Sequence, residues 1–219
     1  MSAFLSQFIN LLAAILLLLA FAMLSQRRIL SLIHLFTLQG ATLAVSTAVV
    51  GYATAQPHLY FSAALTLLLK VLLIPLLLHR VIDRLNVRWD LETLINIPTT
   101  QLAGIVLVMF AFYLAQPIAQ ISATIARGTL GIALASVLLS FMMMITRSKA
   151  VPQVIGFLAM ENGLFFAATA ATYGMPMVVE LGIALDVLVG ILILGVFLFH
   201  IREQFDSLDI RHLEKLKED

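Results

Sequence analysis

No charged side chain occurs between Met1 and Gln26, and none occurs between Ile29 and Leu69. A transmembrane helix needs about 20 mostly apolar residues, so the first stretch is long enough for one crossing and the second for two. Across the 219 residues, 62% are hydrophobic and 11% charged, where an ordinary soluble domain carries about 25% charged residues. Polar cover for a water-facing surface is missing. That excludes a soluble enzyme, and it excludes a solvated, disordered chain. The absence of cysteine excludes thiolate-bound iron–sulfur clusters, CxxC redox motifs and disulfides, and the net charge of +1 gives no sign of a nucleic-acid partner. The expected fold class is an all-α integral membrane protein.

Charged residues cut the chain into blocks that predict seven spans. The first ends at Arg27-Arg28, and the second is separated from the third by a break at Gly51 to His58 that contains Pro57. The third covers Leu59 to His79 and carries Lys70; a polar stretch from Arg80 to Glu92 follows. A fourth runs over Ile97 to Leu114, ended by Gln116-Pro117, and a fifth over Thr129 to Ile145. The sixth, Val151 to Tyr173, holds Glu161; the seventh, Met177 to His200, holds Asp186; a densely charged tail follows from Arg202. If the N-terminus lies outside, the first, third and fifth connections and the tail carry eleven of the 13 Lys and Arg residues. The positive-inside rule then predicts an N-out, C-in orientation.

The chain also resembles itself. Arg27 precedes Gln39 by twelve residues, and Lys149 precedes Glu161 by twelve. Each of these spans is followed by another with one intramembrane charge, Lys70 in the first case and Asp186 in the second. Residues 1–85 and 127–201 are therefore expected to be parallel three-helix units. Residues 86–126 join them through an interfacial segment around Trp89 and a linking helix, and residues 202–219 form a cytoplasmic tail.

Each charge at mid-bilayer costs about 2.5–3.5 kcal/mol on insertion scales, so Lys70, Glu161 and Asp186 are expected to face protein or water. Glu161 lies about ten residues into its span, roughly 15 Å deep in a core about 30 Å thick. Lys70 and Gln39 fall at a similar depth, which places the polar groups in one layer. Thr66 precedes Lys70 by one turn, and Thr42 and Ser46 share a face with Gln39. Pro75 removes an amide donor, freeing the carbonyl of Val71 and kinking the helix beside Lys70. Burial moves a carboxylic acid and a lysine toward neutrality, so such groups can load and release protons. His79 and His200 fall near one membrane edge, which disfavours a bis-histidine haem; no cofactor or metal is expected, and no residue reads as catalytic. The blander reading is a salt bridge that only fixes helix packing.

The segments GFLAMENGLFFAA, ELGIALDVLVGILI and LLLKVLLIPL resemble the E component of hydrogenase-4 and of related formate hydrogenlyase membrane arms. The C-terminal unit also resembles the K subunit of respiratory complex I and its counterpart in multisubunit sodium/proton antiporters. The resemblance implies that Glu161 takes the place of the second-helix glutamate and Asp186 that of the third-helix carboxylate. Gln39 stands where the N-terminal copy has lost its acid. It implies a multi-pass subunit of a bacterial or archaeal cell membrane, without redox chemistry of its own. Its partners would be antiporter-like and quinone-module-like membrane subunits, coupled indirectly to a peripheral nickel–iron hydrogenase arm. Two other readings stay open: an independent secondary transporter, and a purely structural membrane subunit.

Overall fold

The computed structural model describes residues 3–85, 93–121, 126–172, 182, 185 and 188–190. The chain runs through α1 (Ala3–Leu24), α2 (Ile29–Thr54), α3 (His58–Thr66), a π-helical stretch (Leu67–Leu73), α4 (Ile74–Leu85), α5 (Ile97–Ile121), α6 (Ala126–Thr146) and α7 (Ala150–Thr172). The π stretch joins α3 and α4 into one continuous rod. Six helices in the described residues are long and apolar enough to cross a membrane, and the protein is an all-α integral membrane protein. The expected seventh span with Asp186, the segment around Trp89 and the tail 202–219 lie outside the described residues, apart from single positions within 182–190.

Two local expectations are refined. Gly51 does not open the turn, because α2 continues to Thr54 and ends at Ala55, whose φ of 53° is left-handed and whose N–H reaches the Gly51 carbonyl. Glycine is needed at 51 for another reason: a Cβ there would lie 3.0 Å from Leu59 Cβ, so its absence lets α3 fold back tightly on α2. Pro117 closes the apolar span but does not end the helix, since α5 carries it in its interior and continues to Ile121. Proline forbids one backbone hydrogen bond but does not by itself stop a helix whose other amides are satisfied.

α1 packs on α2 and α6, α2 on α7, and α6 on both α5 and α7. The span Ile97–Pro117 is the most peripheral, with 17% of its window buried against 44–56% for the other five. Its outer face carries large apolar side chains such as Leu102, Val106 and Met109, the composition expected of a surface turned to lipid. The interior holds two apolar clusters. One gathers Met23, Ile33, Phe36, Leu78 and Leu158 near the starts of α2 and α7, and the other gathers Leu16, Leu43, Leu59 and Phe166 near the α2–α3 turn. The polar layer lies between them.

Candidate functional site: a buried lysine, a glutamate and two amides

Lys70 is 1% exposed and Glu161 3%, and the two meet with Nζ 3.4 Å from Oε1. Lys70 Nζ also donates to Asn162 Oδ1 at 2.7 Å, and Asn162 Nδ2 donates to Gln39 Oε1 at 3.1 Å. The residues expected from the sequence at mid-membrane are thus brought together from three elements: Gln39 from α2, Lys70 from the π stretch, and Glu161 with Asn162 from α7. Asp186 lies outside the described residues. Asn162, fully buried, is a member that the sequence reading missed. Its signal was a neutral amide beside Glu161 in an apolar run, a group as costly to bury without partners as a hydroxyl.

The amides are oriented by the lysine. An ammonium can only donate, so Asn162 must turn its oxygen toward Lys70 and its NH2 toward Gln39. Gln39 then accepts with Oε1, and its Nε2 is left buried with no hydrogen-bond partner among the described residues.

The backbone adapts around Lys70. Pro75 has no N–H, and the Ile74 N–H bonds back to the Leu69 carbonyl, the i→i−5 pattern of a π-helix. The expected proline kink takes this form, a widened turn centred on the lysine, and π turns inside helices are frequent at functional sites. Opposite that turn, a Cβ added to Gly40 would lie 3.0 Å from Lys70 Cβ. Glycine beside Gln39 lets α2 approach the lysine stem closely. Beyond the proline, the His79 Nδ1 lies 2.7 Å from the Pro75 carbonyl and the ring meets His34 edge-on, holding α4 to α2.

A second buried cation has a different setting. Arg147, in the basic fifth connection, is 1% exposed. Its Nη2 donates to the carbonyls of Leu24 at 3.0 Å and Gln26 at 2.9 Å, with Met23 at 3.4 Å. These carbonyls lie at and just beyond the C-terminal end of α1, where helix carbonyls lack intrahelical partners and a cation also meets the negative end of the helix dipole. Burial pushes the guanidinium below its ordinary pKa. The Arg147 carbonyl accepts from Gln153 Nε2 at 2.8 Å, Thr93 bridges to Arg147, and the Leu94 N–H reaches the Thr146 carbonyl at 2.9 Å. The first, third and fifth connections therefore meet on one side of the bundle.

No family model matches the chain, and no solved structure matches it. Hydrogenase-4 component E of Escherichia coli is 24% identical over 163 residues, covering 74% of this chain and 76% of that protein, and the protein of the same name in Shigella flexneri matches equally. This is a distant homology. The uncharacterized protein Rv0085 of Mycobacterium tuberculosis is 30% identical over 194 residues, 88% of each chain. With that identity sustained over nearly the full length of both proteins, the chain belongs to the family of this mycobacterial protein.

Proposed function

We propose that the chain is a membrane-arm subunit of a complex I-related, membrane-bound nickel–iron hydrogenase of the hydrogenase-4 or formate hydrogenlyase type. In this reading Lys70 and Glu161, with Gln39 and Asp186, contribute to proton translocation. The homology to hydrogenase-4 component E supports membership of a multisubunit membrane complex. The observation that carries the proton reading is the buried Lys70–Glu161 pair at 3.4 Å. A proton passing from the Lys70 ammonium to the Glu161 carboxylate turns two charges into two neutral groups, so the transfer relieves part of the burial cost of both. That step moves one proton within the pair without changing how many the pair holds; translocation further requires the Glu161 acid to pass its proton on to water or a neighbouring group and Lys70 to take up another. Redox chemistry would belong to the peripheral hydrogenase arm and not to this subunit, which lies in a bacterial or archaeal cell membrane with its N-terminus outside.

The pairing of α1 with α6 and of α2 with α7 supports the two-unit organisation, residues 1–85 and 127–201, because corresponding helices of the two copies lie side by side. In that arrangement the second copy works as a unit like the complex I K subunit, and Gln39 and Glu161 occupy equivalent places. The partners are antiporter-like and quinone-module-like membrane subunits, and the occupants of the complex are identified by mass spectrometry after gentle detergent extraction.

Glu161→Gln is the decisive variant. It keeps the side chain's shape and lets the complex assemble, and it is expected to leave hydrogenase turnover intact while lowering proton translocation in sealed vesicles. The amide network around Lys70 also suits a static lock between α2 and α7. Undiminished translocation in an assembled Glu161→Gln complex establishes that second reading.

A further inference from the structure

The interior shared by α2, the α3–α4 rod and α7 differs on the two sides of Lys70. Toward the starts of α2 and α7, every described buried side chain of α2, α4 and α7 is apolar. Leu32, Ile33 and Phe36 face this region from α2, Ile74 and Leu78 from the rod, and Leu158 from α7. Toward the α2–α3 turn the second apolar cluster, with Leu43, Leu59 and Phe166, is interleaved with buried hydroxyls: Thr42, Ser46 and Thr47, Ser62 and Thr66, and Thr169.

These hydroxyls are arranged in register. The close approaches of Gly40 to Lys70 and of Gly51 to Leu59 fix α2 and α3 as antiparallel, one step on one helix matching one step on the other. Thr47 is then level with the interval between Ser62 and Thr66, and Ser62, Thr66 and Lys70 follow at four-residue spacing on one side of their rod. α7 begins on the same side of the bundle as α2 and is tied to it by the Asn162–Gln39 bond. Seven residues beyond each of those two, Thr169 and Ser46 are level again.

Ser62 Oγ and Gln39 Nε2 of this interior are buried with no hydrogen-bond partner among the described residues, as are Gln56 Oε1 at the α2–α3 turn and Ser140 Oγ of α6. Buried polar atoms nearly always have one, and where protein supplies none an ordered water does. The threonine hydroxyls can extend such a file: Thr42 and Thr47 donate to the carbonyls of Leu38 and Leu43 and keep lone pairs to accept from water.

We infer that, within this chain, the Lys70–Glu161 pair communicates with water on one side only, the side carrying the α2–α3 turn, along the hydroxyl-lined interior of α2, α3 and α7. The Phe36–Ile74–Leu158 region is the seal against the other side. This inference deepens the proton-transfer reading and rests on it for its purpose, but its test reads water and not protons. Because the chain has no cysteine, single substitutions report local wetting directly: thiols react as thiolates, which form only where water reaches them.

The intact complex in membrane vesicles carries Ser62→Cys or Thr66→Cys in one set and Leu32→Cys, Ile33→Cys or Leu78→Cys in the other. It is treated with a small, charged methanethiosulfonate. Labelling at the first set is expected to be at least about tenfold faster than at the second, since only ionised thiols react, and to occur with reagent supplied on the turn side. Inert Ser62→Cys and Thr66→Cys variants that label once unfolded in detergent overturn the inference, as does equal labelling of the two sets. Fast labelling of the first set combined with undiminished translocation in Glu161→Gln leaves the wet interior standing and overturns the proton reading alone.

Discussion

Lys70 and Arg147 are both long cations withdrawn from solvent, yet they are held in opposite ways. Arg147 is answered by backbone carbonyls at the end of a helix, groups that cannot take a proton and cannot leave. Lys70 is answered by side chains, one of them a carboxylate, and every one of those partners can rotate, flip or change protonation. The comparison teaches that burial alone does not identify a site of chemistry. A cation held by fixed dipoles closes a structure, and one held by titratable side chains keeps a choice of states.

The largest expected effect comes from Lys70→Met, which strands Glu161. Breaking a buried pair from one side costs about 3–5 kcal/mol, and the loss should appear as a lower midpoint of thermal unfolding in detergent. The double variant Lys70→Met/Glu161→Gln should recover much of it, because no charge is then left behind. A double variant as unstable as the single one breaks the contrast drawn here, since it would make the lysine as purely structural as the arginine. Arg147→Met ranks next. It removes two well-formed charged hydrogen bonds, each worth about 1.5–3 kcal/mol, partly offset because Nε and Nη1 of Arg147 have no partner among the described residues. The expected signature is lower stability without any selective change in proton translocation per enzyme turnover in the complex that survives. The smallest effect is expected from Gly40→Ala, whose new Cβ would meet Lys70 Cβ at 3.0 Å. Overpacking of this kind costs about 1–3 kcal/mol, and here it should shift translocation more than stability, because the group displaced is the lysine itself.

Much of this was legible in the sequence, for an uneven set of reasons. Helices and their order follow from uncharged runs of membrane length. Lys70, Glu161 and Gln39 stand out because a polar group in such a run has no solvent to turn to. Asn162 did not stand out, since an uncharged amide leaves the run unbroken and Glu161 already explains the polar position. Arg147 falls in the connection where the sequence puts it, but its burial was not legible: a basic residue at the end of an apolar run reads the same whether it reaches out to water or turns in to cap a neighbouring helix. Pro75 announced a disturbance in the backbone, but a missing N–H does not say whether the helix bends or widens. Pro117 shows the same ambiguity with the opposite outcome.

The widened turn at Leu67–Leu73 has a consequence for evolution and engineering. A π turn holds about one residue more than an α turn, so the widened stretch absorbs that extra residue while the helix on either side keeps its facing. In an unbroken α-helix the same extra residue would rotate one half by about 100° against the other. Deleting one residue within this stretch is therefore expected to close the rod to ordinary α geometry with its two halves still facing the interior, and to tighten the turn that carries Lys70. Length at this place becomes a marker of which relatives keep the widened turn.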